Sequence, residues 1–368
     1  MRIDVEATDG TARAATVHTA RGTFSTPCFM PVGTRGAVKH LSADDLSALG
    51  ASVVLGNTYH LMLRPGVDTI AALGGLHRFT GWGGHLLTDS GGYQVFSLEP
   101  KVDDDGVTFR STYDGSTHRL TPEGAVAVQA ALGADIQMVL DVCPPLPSPP
   151  EVVRRAVERT AAWAARARTA HRETVARDGS SQALFGIVQG GVDEHLRTES
   201  ARRTVDLGFD GYGIGGLSVG EPRHEMLPAL AAALAELPAD RPRYLMGVGD
   251  PAGMVEAVGL GVDMFDCVLP TRLARHGTLL TSTGRLNLRN ARYGTDPGPP
   301  DPACGCSTCQ RWSRGYLRHL LQVGEPLAAR LLTVHNVAWT ISLVSAMREA
   351  IVAGTFDALR HEVLAVWH

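Results

Sequence analysis

Eight short apolar runs, each closing on a small-residue or polar loop, recur along this chain with helical patterns between them. They are FMPVGTRG (Phe29 to Gly36), SVVLGNTYH from Ser52, HLLTDSGGYQ from His85, DIQMVLDVC from Asp135, LFGIVQGG from Leu184, GYGIGGLSVGE from Gly211, YLMGVGD from Tyr244 and MFDCVLPTR from Met264. Short apolar runs bounded by turn residues read as buried strands, and strands that alternate with amphipathic helices make a parallel sheet. The Ala-, Arg- and Glu-rich segment from Pro150 to His171, with apolar residues at helical spacing, is such a helix. Eight β–α units predict an α/β fold of the (β/α)8 barrel type rather than an open doubly wound sheet. No GxGxxG or Walker-type loop opens a helix, which argues against a nucleotide cofactor.

The 368 residues suffice for one barrel with insertions, read as a single domain over 1–368. Two stretches break the rhythm. Pro100 to Leu120 reads as a hairpin-like insertion with a turn at Asp114-Gly115. Residues 275–335 hold further hairpin-like segments and a cysteine cluster, and read as a subdomain inserted before a last helix at roughly Asn336 to Gly354. The Pro-rich run Pro144 to Pro150 follows a strand and is expected on the active face. The N-terminus lacks a signal pattern, and no run of about 18 consecutive apolar residues appears, so a cytoplasmic protein without a membrane partner is expected.

In a barrel of this kind, polar residues at the C-terminal strand ends build the active site. Those ends offer Asp89, Ser90, Gln94, Asp141, Gln189, Gly216, Glu221 and Asp266. One aspartate at a strand end is as readily a loop cap as a catalytic group. Three of them, in LLTDSGG, MVLDVC and DMFDCV, converging on one mouth point to chemistry. A carboxylate pair suits glycosidic bonds, one attacking the anomeric carbon while the other moves a proton. A third carboxylate can accept hydrogen bonds from a guanine-like edge. Gly190-Gly191 and Gly215-Gly216 allow a flat ring to approach the backbone.

Of six cysteines, Cys304, Cys306 and Cys309 cluster as CGCSTC. With one imidazole they give a closed tetrahedral set, the usual structural zinc arrangement, and a closed set leaves no position for a catalytic water. Spacing alone leaves His335 and His319 both open as the fourth ligand. The formal net charge of −4 carries no global signal for nucleic acid, so any RNA contact must be a local patch.

TDSGGYQVFSL, FGIVQGG, GIGGLSVGE, YLMGVG, DMFDCVLPTR, GNTYHLMLRPG and MPVGTRG, with the CxCxxC and a late His, together resemble the bacterial tRNA-guanine transglycosylase (queuine tRNA-ribosyltransferase) family. The resemblance covers essentially the whole chain. It implies an irregular TIM barrel with an inserted zinc-binding subdomain, one structural zinc and no organic cofactor. It implies exchange of the wobble guanine of GUN-anticodon tRNAs for 7-aminomethyl-7-deazaguanine, by double displacement through a ribosyl-aspartate. On this resemblance Asp266 is the nucleophile and Asp89 the general acid and base. The base pocket comprises Ser90, Tyr93, Gln94, Asp141, Cys143, Gln189, Gly216, Leu217, Glu221 and Met246. Val219, Cys143 and Glu221 match the form that takes the aminomethyl base. Arg272 and Arg275 are implied at anticodon phosphates. Phe79, Trp312, Tyr316 and His319 match an aromatic cluster between the subunits of a homodimer, the spacing of the last three placing them on one helical face, which leaves His335 as the fourth zinc ligand. Val142, Leu273 and His276 depart from the common pattern and bear on the choice of base and tRNA. A base removed for attack at its sugar suits a single-stranded anticodon loop as partner.

Three other readings differ in chemistry. A non-catalytic RNA-binding relative has no use for the Asp89–Asp266 pair, and a relative acting on DNA fits the zinc segment less well. A sugar-active barrel glycosidase tends to line its subsites with aromatics, which are only 6% of this chain.

Overall fold

The computed structural model describes residues 1–367. It opens with a three-stranded antiparallel sheet that the apolar pattern did not announce: β1 (Arg2–Asp9), β2 (Ala12–His18) and β3 (Thr23–Thr26). The exposed β1 carries the polar residues that hide it from a sequence reading. β2 packs Ala12, Ala14, Ala15 and Val17 into the barrel core.

The barrel begins with β4 (Cys28–Gly33), β5 (Val53–Gly56) and β6 (His85–Thr88). The insertion expected at 100–120 follows, as a small antiparallel sheet of β7 (Lys101–Val102), β8 (Val107–Arg110) and β9 (Thr117–Leu120). Five strands complete the ring: β10 (Ile136–Met138), β11 (Ala183–Val188), β12 (Gly211–Ile214), β13 (Arg243–Leu245) and β14 (Met264–Cys267). All neighbours pair in parallel, and β14 pairs with β4 to close the barrel. Each of the eight apolar runs supplies one barrel strand, and closure leaves no edge unpaired.

The N-terminal sheet is pinned at the N-terminal end of β14. Arg13 grips Asp263 through Nε at 2.8 Å and Nη2 at 2.5 Å, and also donates to the carbonyls of Ala239 and Arg241. Both side chains are buried, so fork-to-carboxylate geometry and the added carbonyl bonds offset desolvation. The opposite end of the barrel is thereby left for chemistry.

The helix Pro150–Asp178 runs longer than its apolar pattern indicated, starting on a proline and ending at Gly179 with φ 65°. Beyond the barrel, the segment from 275 contains one hairpin, β15 (Thr278–Thr281) with β16 (Gly284–Asn287), and two short helices, Ser307–Arg311 and Arg314–Gln322. The last long helix spans Pro326–Ala353, so the boundary expected at 335 falls inside it and His335 is a helical residue. Pro326 is well placed to start a helix because the first turn needs no donor there. A further helix, Phe356–Val366, packs beyond it. Pro326–Ala353 is long and apolar enough to cross a membrane, but 61% of its most apolar window is buried inside the protein.

Candidate active site and metal centre

At the C-terminal end of the strands the loops enclose a cavity of about 330 Å³, lined by Asp89, Asp141 and Asp266 among others. Asp89 follows β6 directly and is nearly buried. Its Oδ1 accepts from the backbone N–H of Thr58 at 2.7 Å and of Gly91 at 3.2 Å. Its Oδ2 accepts from Asn57 Nδ2 and, at 3.1 Å, from Gln94 Nε2. Burial pushes its carboxyl up to about 6, while these four donors pull the other way. Asp89 thus holds appreciable amounts of both protonation states near neutrality.

Asp141 sits on the loop after β10. Gln189 Nε2, from the end of β11, donates to its Oδ2 at 2.6 Å, and Ser90 Oγ approaches Oδ1 at 3.5 Å. Burial, and secondarily the charge of Asp89, raises this carboxyl to about 6 as well. Gly216 lies beside Gln189 with φ 66°, and a Cβ there would stand 2.3 Å from Gln189 Oε1. That acceptor, with Gln94 Oε1, is buried without a partner among the described residues, and both side chains line the cavity. The wall therefore offers a carboxylate, a free amide oxygen and a glycine backbone to a flat heterocycle.

Behind this wall lies Arg197, fully buried in the helix Glu194–Val205. It donates to the carbonyls of Gly191, Val188, Gly215 and Gly216 at 2.7 to 3.1 Å. One guanidinium thus ties both glycine pairs together, and burial holds it down to about 10.

Asp266 is the third residue of β14. Tyr244 Oη, from β13, donates to its Oδ1 at 2.6 Å, and the Gly247 N–H donates to the same oxygen at 2.8 Å. Burial raises this carboxyl, and the two donors favour its charged form. Its other oxygen, Oδ2, has no hydrogen bond to protein among the described residues.

Ser90, Tyr93, Gln94, Cys143, Leu217 and Met246 line the same cavity, as do Val219, Val268 and His60. Tyr93 is 65% exposed at the rim, free to cover a flat ligand. Glu221 does not reach the cavity. Its carboxylate accepts from the N–H groups of Ser218 and Val219, so it braces the cavity wall from behind and faces a second hollow with the Pro-rich loop. Arg272 and Arg275 lie on the helix Leu269–Arg275 that leaves β14, and Arg272 is exposed. Val142 packs away from the cavity in an apolar cluster, and its N–H donates to Thr160.

Cys304, Cys306, Cys309 and His335 bring their ligand atoms within 4.8 Å of one another. His319 is exposed and outside this group, so the fourth member is His335. Its Nε2 faces the Leu280 carbonyl at 2.8 Å. A carbonyl can only accept, so Nε2 carries the proton and Nδ1 presents its lone pair to the sulfurs, 3.1 Å from Cys309 Sγ. Three thiols and an oriented imidazole fit a metal ion, and none of the four lines the cavity at the strand ends. The next residue, Asn336, accepts from Leu280 N–H and donates to the carbonyls of Pro270 and Thr278. The metal cluster is thereby coupled to the helix that bears Arg272 and Arg275.

Trp312 precedes the helix Arg314–Gln322 in extended conformation, with Ser313 as the N-cap, so it does not share a helical face with Tyr316 and His319 as its spacing indicated. Tyr316 and His319 are exposed one turn apart, whereas Trp312 and Phe79 are partly buried against separate clusters.

A family model described as queuine tRNA-ribosyltransferase matches residues 8–368. The chain belongs to the queuine tRNA-ribosyltransferase family. A queuine tRNA-ribosyltransferase of Desulforudis audaxviator is 54% identical over 356 residues, 96% of this chain and 94% of the relative. Those of Symbiobacterium thermophilum and Sphingopyxis alaskensis are 52% and 51% identical, over 97% and 98% of this chain and 88% and 96% of theirs. Membership places the chain among the tRNA-guanine pentosyltransferases.

Asn57, Tyr244 and Arg197 were not singled out from sequence, although each bonds a cavity residue or its loop. Asn57 and Tyr244 stood in quoted strings, GNTYH and YLMGVG, and polar residues inside apolar strand ends are the available signal. Arg197 lies in a polar helix with nothing local to distinguish it.

Proposed function

We propose that the protein exchanges the wobble guanine of GUN-anticodon tRNAs for 7-aminomethyl-7-deazaguanine. The observation that carries this reading is the grouping of Asp89, Asp141 and Asp266 around one cavity of nucleobase size. Asp266 attacks the ribose anomeric carbon, the glycosidic bond to guanine breaks, and a covalent ribosyl-aspartate forms. Asp89 gives its proton to the departing guanine. It then takes a proton from the incoming deazapurine, whose nitrogen displaces Asp266 from the same carbon. Two inversions retain configuration and require no ATP.

Each role has physical support. A carboxyl at about 6 can both give and take a proton near neutral pH. Tyr244 and Gly247 hold Asp266 through one oxygen and leave the other for attack. Asp141 and Gln189, with the Gly216 backbone, match the donors and acceptors of a guanine edge, and Tyr93 and Met246 supply its faces. Val219 and Cys143, also on the cavity wall, are the residues that match the form taking the aminomethyl base.

In this reading the Cys304, Cys306, Cys309 and His335 set holds one structural zinc, which supplies coordination that fixes the 275–335 segment and no step of the reaction. The exposed Tyr316 and His319, with Trp312 and Phe79, meet a second copy of the chain, and the enzyme works in the cytoplasm.

The test is incorporation of labelled guanine into a GUN-anticodon tRNA transcript, followed by a chase with 7-aminomethyl-7-deazaguanine. Incorporation and irreversible chase are expected of the native enzyme, and Asp266→Asn should abolish both while leaving fold and metal content intact. Full exchange by that variant removes Asp266 from the nucleophile role.

A further inference from the structure

The two sides of the barrel mouth carry different polar groups. Loops after β10, β11 and β12 carry Asp141, Gln189 and Gly216. Loops and helices after β14, β4 and β5, which adjoin one another in the ring, carry Arg272, Arg275, Arg35, Lys39 and Arg64. In the ring of eight strands, β4 and β5 stand directly across from β11 and β12. In a chain of net charge −4, this arc concentrates cations opposite the groups that face a base.

Within the arc, two guanidiniums converge on one ring. Arg35 lies over Tyr113 at 5.3 Å from the ring centroid, and Arg64 lies over it at 4.8 Å. Tyr113 comes from the turn between β8 and β9, and its hydroxyl hydrogen-bonds His60 Nδ1 at 2.9 Å. His60 lines the cavity, so the cluster is joined to the catalytic pocket through one side chain.

Neither Arg35 nor Arg64 has an ion pair or hydrogen bond among the described residues, and both are exposed. The neighbouring carboxylate, Asp114, is occupied by the N–H and Oγ of Ser116. A guanidinium resting on an aromatic face leaves its N–H fork edge-on and free. Two such forks beside one ring repel each other, and an anion with several acceptor oxygens between them removes that cost. Burial and the charge of Arg35 hold the His60 imidazole below its usual range, so it stays neutral beside them.

The geometry points to a phosphodiester-binding site made by Arg35, Tyr113 and Arg64, which takes the RNA backbone on the side of the cavity opposite the base-reading wall. It rests on the function proposed above. With Arg272 and Arg275 it places phosphate-binding cations along one half of the rim, so that the strand lies across the mouth with one nucleotide turned inward. Tyr113 orients both forks and is itself held by His60.

The experiment is steady-state guanine exchange by the native chain and by an Arg35→Gln, Arg64→Gln double variant, on an anticodon stem-loop RNA with guanine at the wobble position, over a salt series. The expected result is a KM for RNA raised on the order of tenfold or more. The KM for guanine and the rate at saturating RNA should stay within about twofold, because these side chains do not line the base cavity. The slope of log kcat/KM against log salt should become shallower by about 0.7 for each phosphate of the single strand that the variant no longer neutralises. An unchanged KM and slope for RNA overturn the proposal, and so does a fall in turnover with RNA affinity intact. The single variants give the same reading if the double variant fails to fold. Lack of exchange by the native chain would instead sink the transglycosylase reading, so the two failures are distinguishable.

Discussion

Tyr244 and Asp266, on adjacent strands β13 and β14, share a 2.6 Å hydrogen bond in which the phenol donates to the carboxylate Oδ1. The Gly247 N–H occupies the same oxygen, and Oδ2 is left toward the cavity. The phenol is buried and held well above its ordinary range by burial and by Asp266, so it remains a donor at all working pH values. A carboxylate anchored through one oxygen presents the other at a fixed position, which is what attack on a sugar carbon needs.

Tyr244→Phe keeps the ring and removes the donor. Loss of a hydrogen bond to a charged group costs about 1.5–3 kcal/mol, so kcat/KM should fall roughly tenfold to a hundredfold. The donor lowers the Asp266 pKa, so its removal should also move the acid limb of the pH–rate profile upward. A pH–rate series on both proteins checks this; an unmoved acid limb would break the link between Tyr244 and the charge on Asp266.

Burial raises Asp141 from 3.8 to about 6, so the folded protein binds more protons than the unfolded chain between those values. Its carboxyl therefore favours the folded state at low pH, and that advantage is lost as pH rises through about 6. The penalty above that pH is about 3 kcal/mol at most. Asp141→Asn should raise Tm at pH 7.5 relative to its effect at pH 4.5, while weakening guanine binding. Thermal melts of both proteins at the two pH values decide it, and parallel shifts would show that Asp141 carries no such cost.

Gly216→Ala sets a Cβ 2.3 Å from Gln189 Oε1, at a φ of 66°. The left-handed backbone alone costs an L-residue about 1–2 kcal/mol, so the loop should shift and carry Gln189 with it. The expected outcome is a KM for guanine raised by about tenfold, with KM for RNA little changed. A base KM equal to that of the native enzyme would mean that Gly216 does not border the base.

Cys306→Ser removes one of the three thiols clustered with His335. Metal content should fall well below one per chain. The β15–β16 hairpin should loosen, because His335 and Asn336 tie it to the long helix. Weakened RNA binding with guanine affinity retained is the expected kinetic result, read by metal analysis and by separate KM values. Full metal content in the variant would exclude Cys306 as a ligand.

The strands and the acids at their ends were legible because they are local. An apolar run followed by TDSGG or DVC says strand, then an acid at its C-terminal end, within ten residues, and all eight runs became barrel strands. The start of the long helix at Pro326 was less legible, since the cysteine segment runs into it and the boundary expected at 335 falls in its first half. Trp312 leaves the helical face that its spacing indicated for a local reason, because Ser313 caps the helix behind it.

Sequence by itself determined the barrel, the family, the three aspartates and the cysteine cluster, because periodicity and motif spacing are written along the chain. Tertiary structure decided which donors face each carboxylate. Asn57 reaches Asp89 across 32 positions, Tyr244 reaches Asp266 across 22, and Arg13 closes the far end against Asp263 across 250. It also turned Glu221 onto its own loop, chose His335 over His319, and stacked Arg35 and Arg64 on one tyrosine. A hydrogen bond or an ion pair depends on distance in space, and barrel closure sets that distance by bringing the ends of separate strands to one rim.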